Sequence, residues 1–390
     1  MENILFEQVT VGGVTLRNRI FMSAAACYNA DATGDIDYGM PMLHFAVAEG
    51  GCALVPTGGV SGVHPSGRTN ATRPMFDSDE RIPSFRAFAE GVRRGGAAAV
   101  LQVTHGGAGA ASYQLSLGRK PFVASHYPRH PKEGLGEVNR EAAPATEEEI
   151  FEVIAAFGDA AVRARRAGFD GIQVHAAHES LLSQWLSPLY NLRNDAWGGS
   201  VENRCRLHCE IVREIKRRGG VDFPVIVKLG IEDTLAGGTV EAEGIRAATL
   251  LAAQGNVDII EVSQGLQNMD DMERTCLRPH ILSTDREAYF RTWAGKVRAA
   301  VRGGALVTLQ GGLRTPSLME EILQRGEADF VSLCRPYIRE PGLVNRWAEG
   351  DRSRAKCISC NRCLWEHLTH GKPLACVFSD TPSEAGRVWA

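Results

Sequence analysis

The sequence predicts a (β/α)8 barrel followed by a short metal-binding segment. Three observations predict it. Eight short, mostly apolar, β-branched runs recur along the chain. Amphipathic helical stretches separate many of them. No Gly-rich dinucleotide fingerprint follows the first run. Continuous apolar strands alternating with helices imply a parallel sheet covered on its outer face. Eight such units make a barrel of about 250 residues or more. A doubly wound open sheet, the competing architecture, usually carries that fingerprint after its first strand. With 390 residues the chain can bury a large core without a staple.

In chain order the candidate strands are Arg19–Ser23, Ala53–Gly58, Ala99–His105, Gly171–His178, Pro224–Gly230, Asp258–Gly265, Ala305–Gly312 and Asp329–Arg335. Most close on a Gly, His or Lys. Among the helices, Glu147–Ala167 opens on Thr146-Glu147-Glu148-Glu149, which has the spacing of a capping box. Val201–Arg218 and Val240–Gln254 show the same amphipathic period.

Composition narrows the function. The hydrophobic share is 44% and the charged share 23%, which excludes low-complexity disorder for most of the chain. A net charge of −3 argues against nucleic acid or an anionic membrane as the main partner. No run of 18 apolar residues suggests a membrane span. The opening Met1–Gly13 lacks the pattern of a secretory signal, so the expected location is the cytoplasm.

A barrel carries its chemistry at the C-terminal ends of its strands. The residues there include Ser23, Gly58, Gln102, His105, His175, His178, Lys228, Ser263, Gly311, Gly312 and Arg335. The set is polar, basic and glycine-rich, and suits a phosphate-bearing cofactor. Gly311-Gly312 allows close backbone approach, and Arg335 can grip an anion in bidentate fashion. Barrel phosphate sites are commonly built after strands seven and eight.

The chain resembles the Old Yellow Enzyme family of FMN oxidoreductases. The resemblance rests on Asn18–Ser23, Leu101–Gly107, His175-Ala176-Ala177-His178, Leu186–Arg193, Trp197–Arg204, Gly311–Thr315 and Ala328–Leu333. It implies non-covalent FMN over residues 1–345. Ser23 and Gly58 would border the isoalloxazine, and Gln102 would bond its pyrimidine edge. Lys228 would sit where negative charge gathers on reduction. Gly311, Gly312 and Arg335 would bind the phosphate. Cys334 stands where the family usually has glycine. His175 and His178 would hold the carbonyl oxygen of an unsaturated substrate, as aimed N–H donors stabilise charge developing there.

This sequence also departs from the family. Ser180 stands where the family has a proton-donating tyrosine, and a hydroxyl is a poor acid beside a phenol. Tyr28, Glu179 or water is left to supply the proton. Many relatives carry a cysteine near the flavin; alignment on Tyr28 puts Ala26 there and Cys27 beside it.

Of ten cysteines, Cys357, Cys360, Cys363 and Cys376 crowd into C-x2-C-x2-C-x12-C, the pattern of a metal site. Zinc, aided by His367 and His370, is one reading. A [4Fe–4S] cluster is favoured by the third close cysteine. It is favoured too by resemblance to the 2,4-dienoyl-CoA reductase and trimethylamine dehydrogenase branch, whose barrel is followed by such a segment. Cys357–Asn361 and Gly371-Lys372-Pro373 resemble that segment, with Cys363 displaced. Residues 346–390 are therefore expected to bind the cluster. The branch goes on to nucleotide-binding domains that this sequence, ending at Ala390, does not show. A protein electron-transfer partner is accordingly expected, with direct reduction by NAD(P)H as the other route.

The expected activity is reduction of a C=C bond conjugated to a carbonyl or thioester in a small molecule. The alternative is an amine dehydrogenase or demethylase passing electrons out through the cluster. A homo-oligomer is expected, dimers being the commonest default.

Overall fold

The computed structural model describes residues 3–25, 30–36, 42–58, 61–126, 143–370, 372 and 374–379. The strands in chain order are β1 (Val9–Val11), β2 (Val14–Leu16), β3 (Ile20–Met22), β4 (Leu54–Pro56), β5 (Ser61–Gly62) and β6 (Ala98–Thr104). They continue with β7 (Gly171–Ala176), β8 (Val225–Gly230), β9 (Ile259–Ser263), β10 (Leu306–Leu309) and β11 (Phe330–Leu333). Eight of them close a parallel barrel in the order β3, β4, β6, β7, β8, β9, β10, β11. Pairing of β4 with β6, and of β11 with β3, leaves no edge. The fold is a TIM barrel, and each expected run coincides with one of its strands, β6 beginning one residue earlier than expected, at Ala98.

The barrel interior follows the two-residue period of a strand. Phe21, Leu54, Val100, Ile226, Ile259 and Phe330 form one apolar cluster inside it. Two residues further along the respective strands stand Ser23, Gln102, Lys228, Glu261 and Ser332, all buried. The interior thus changes from apolar to polar toward the mouth. The apolar end is plugged by the antiparallel hairpin β1–β2, whose Val11 and Leu16 join the cluster. The larger core lies between the barrel and its helices.

The helix Glu147–Ala167 forms as expected. Thr146 Oγ1 accepts from the Glu149 N–H at 3.2 Å, and Glu149 Oε2 accepts from the Thr146 N–H at 2.8 Å. The second helix runs Val201–Gly219. The third differs: Glu241–Leu250 is α-helical, and Leu251–Gly255 widens into a π-turn ending at Asn256, whose φ is +60°. Several expected strands also stop short. β7 ends at Ala176 because His178 and Glu179 adopt φ of +52° and +65°, which no strand accommodates. Among the described residues no helix is long and apolar enough to cross a membrane.

Candidate functional site

Two adjoining cavities open at the C-terminal mouth of the barrel. One, of about 450 Å³, is lined by Gln102, His175, His178, Glu179, Tyr190 and Arg73 among others. The second, of about 270 Å³, is lined by Ser23, Tyr289, Gln310, Gly311, Gly312 and Arg335 among others. Ala24, Ala25, His178 and Lys228 belong to both. The sites expected from sequence are therefore brought together, except two. Gly58 is buried two residues past the end of β4 and lines neither cavity. Tyr28, with Cys27, lies outside the described residues.

His175 and His178 could not share a face on a regular strand, three residues apart. The left-handed backbone at His178 turns the chain, so both imidazoles line one cavity with ring centres 5.2 Å apart. Burial, then the charges of Lys228 and Arg73, lowers the His175 pKa to about 3. Burial, with Lys228 and His175 adding to it, holds His178 well below its ordinary value. Both rings are neutral at pH 7. His175 Nδ1 is buried and has no hydrogen-bond partner among the described residues. Ser180 donates its hydroxyl to the His175 carbonyl at 2.9 Å, so its proton is already committed. A phenol does line the same cavity, that of Tyr190.

A buried polar network spans the barrel beneath the pair. Lys228 Nζ lies 3.3 Å from Glu261 Oε1 and donates to Gln310 Oε1 at 3.4 Å. Lysine has only protons to give, so Gln310 must turn its oxygen to it and its amide N–H to Ser263 Oγ, at 2.5 Å. That leaves the Ser263 proton for His178 Nε2, 2.7 Å away, and puts the ring's own proton on Nδ1. Glu261 accepts from Ser23 at 2.5 Å and from Gln173 at 2.7 Å. Gln173 Oε1 in turn accepts from Gln102 Nε2 at 2.8 Å, so Gln102 keeps its carbonyl oxygen for a ligand. Glu261, Gln310, Gln173 and Ser332 were not among the expected site residues. Their signal was positional: each continues the inward-facing alternation of its strand, Gln310 one residue past the end of β10.

Gly311 and Gly312 have φ of +117° and +76°. A Cβ on Gly312 would meet the Tyr289 ring at 2.9 Å. Tyr289 is held by its own hydroxyl, which donates to the Cys276 carbonyl at 2.7 Å. Arg335 bonds the Arg278 carbonyl at 2.9 Å and Asn361 Oδ1 at 2.5 Å, and so stands between this cavity and the cysteine segment.

The four clustered cysteines line one small cavity together with Arg335, Arg339 and Phe378. Among the described residues, no three His, Cys, Asp or Glu side chains converge to hold a single metal ion. His367 Nδ1 is engaged with the Lys372 carbonyl at 2.7 Å. Arg314, fully buried, ties the segment to the barrel. Its guanidinium bonds the Gly312 carbonyl, the Ser359 hydroxyl and, at 2.6 Å, the Cys357 carbonyl. Arg314 and Arg339 N–H groups lie 3.8 and 3.9 Å from the sulfurs of Cys357 and Cys376.

Residues 4–353 match the model of the NADH:flavin oxidoreductase / NADH oxidase family. The chain is 32% identical to an NADH oxidase of Thermoanaerobacter brockii over 98% of its length, but spans only 56% of that protein. It is also 32% identical to an NADPH dehydrogenase of Bacillus pumilus, covering 90% of this chain and 95% of the relative. Among solved structures, a 2-naphthoyl-CoA reductase complex superposes with a TM-score of 0.82 at 23% identity. The match covers 96% of this chain and 57% of that one, and it bears on the fold alone.

Proposed function

The chain belongs to the NADH:flavin oxidoreductase / NADH oxidase family, and from that membership we propose an FMN-dependent reductase of C=C bonds conjugated to a carbonyl or thioester. The family implies FMN and a nicotinamide donor. The residues present fit the flavin. A buried cation, Lys228, lies where the two cavities meet. The glycine pair keeps a cradle open that a side chain would fill. When bound, FMN supplies the hydride chemistry.

The observation that carries the reading is the pair of neutral imidazoles on one cavity wall, adjoining the cavity of Gly311, Gly312 and Arg335. A neutral imidazole has one N–H to direct at a carbonyl oxygen, where it stabilises the charge that develops there. The Ser263 contact fixes the orientation of His178. Ser23, Gly58 and Gln102 would border the flavin ring, and Gly311, Gly312 and Arg335 would hold its phosphate. Tyr28 is kept as a candidate proton donor beside Glu179 and Tyr190.

We further read residues 346–390 as the seat of a [4Fe–4S] cluster on Cys357, Cys360, Cys363 and Cys376. The four cysteines line one small cavity. The guanidinium N–H groups near two sulfurs suit an anionic cluster. Its electrons would come from or go to a protein partner.

Anaerobic purification with flavin, iron and sulfide analysis tests both cofactors. FMN with about four irons per chain supports the reading; zinc without iron makes the segment structural. A panel of conjugated enones, enoyl thioesters and secondary amines then tests the reaction. Turnover of amines alone would replace reduction with dehydrogenation.

A further inference from the structure

The scheme above uses Lys228 but leaves its partner without a role. Lys228 and Glu261 are register partners across β8 and β9, and their side chains are 3% and 4% exposed. Glu261 also accepts from the hydroxyls of Ser23 and Ser332 and from the amide of Gln173. These donors reach both carboxylate oxygens, whereas an amide in its place would offer one oxygen and set its own N–H groups against either the Gln173 amide or the serine hydroxyls. Burying the charge carries a large desolvation penalty, so its consequence should be sought in what Lys228 faces.

We propose that Glu261 is a positioning residue that sets the flavin's potential by holding back part of the Lys228 charge. The proposal rests on the reading that FMN lies beside Lys228. Two-electron reduction places negative charge on the pyrimidine half of a flavin. A lone buried ammonium there would favour the reduced form strongly, because screening inside the barrel is weak. With a carboxylate 3.3 Å away the ammonium becomes one end of a dipole, whose field fades faster with distance. The pair therefore keeps the flavin a stronger reductant than Lys228 alone would. The same carboxylate orients Gln173 and, through it, Gln102, so the hydrogen bonds at the cavity wall depend on it as well.

The test compares FMN content and two-electron potential, by equilibration with reference dyes, in the wild-type holoprotein and four variants. Glu261→Gln should shift the reduction equilibrium toward reduced flavin by about tenfold or more, ~30 mV for a two-electron couple. Glu261→Asp, which keeps the charge, should stay within about threefold of wild type, a shift under ~15 mV. Lys228→Met should move the potential down, and the Lys228→Met/Glu261→Gln pair should bring it back toward wild type. An unchanged potential in Glu261→Gln overturns the proposal, as does a double variant no different from Lys228→Met. That second comparison carries the test if Glu261→Gln fails to accumulate. Wild-type protein that binds no flavin overturns the reading beneath the proposal, and the proposal with it.

Discussion

At His175 and His178, burial decides protonation before any substrate arrives. With the His175 pKa lowered to about 3 and that of His178 held well below its ordinary value, both by burial, the pair stays neutral across the working range. The profile of kcat/KM against pH should therefore show no imidazole break between about pH 5 and 8; a break near the ordinary value of about 6.5 that His178→Ala abolishes would contradict this. His178→Ala should lower kcat/KM by about 10²-fold, the scale of a lost oxyanion donor, with FMN retained. Unchanged turnover would remove the residue from the site. Stability follows the same shifts. Burial also lowers His105 to about 3 and His208 to about 4. The unfolded chain binds more protons below about pH 6.5, so stability contributed by these neutral rings is full above that pH and lost as pH falls toward 4 and 3. Urea midpoints from pH 8 to 4 should decline over that window. His175, His178 and Lys228 were legible because they stand near the ends of their expected strands. Glu261 was not, because it sits inside Ile259–Ser263, where attention to strand ends passes over it. Its signal was its place two residues beyond the inward Ile259.

At the scale of elements, hydrophobic runs alone located all eight barrel strands, since each is buried on both faces and reads as continuous apolar sequence. The hairpin β1–β2 was missed although its signal was present: Gly12-Gly13 between two alternating segments, with Gly12 at φ +55°. The strand ends were overestimated where the chain turns into the mouth, because turning there is a property of the site and not of the apolar pattern. Two substitutions separate scaffold from site. Thr146→Ala removes one half of the capping box and should cost about 1 kcal/mol of stability, read by denaturation, without changing flavin affinity. Gly312→Ala forces a Cβ into a left-handed backbone against Tyr289. It should weaken FMN binding by about tenfold or more while the far-ultraviolet dichroism stays that of the wild type.

Across the whole molecule, the cysteine segment and the barrel are joined through the buried Arg314 and the half-buried Arg335. Arg314 reaches from the glycine turn to Cys357 and Ser359, and Arg335 reaches from the last barrel strand to Asn361. Sequence spacing announced the four cysteines, but it held no sign of these ties, which depend on loops folding back over the mouth. Arg314→Met should leave the segment poorly seated. On the proposed cluster reading, bound iron should then fall further than bound flavin, and limited proteolysis should cut beyond about residue 353, the end of the family match. Equal loss of both groups would mean that Arg314 serves the barrel alone.

The closing pair of strands has a consequence for how the chain is made. β3 finds its second neighbour only in β11, with Ile20 opposite Val331. A ribosome adding about 5–20 residues per second needs roughly 15–60 s to travel that distance. For all that time Ile20–Met22 offers an unpaired strand edge in a nascent chain rich in apolar runs. The closed barrel has no edge to aggregate through; the half-made one does. Recovery in soluble form should therefore depend more on the rate of synthesis, and on chaperones that shelter the growing chain, than on the stability of the finished protein.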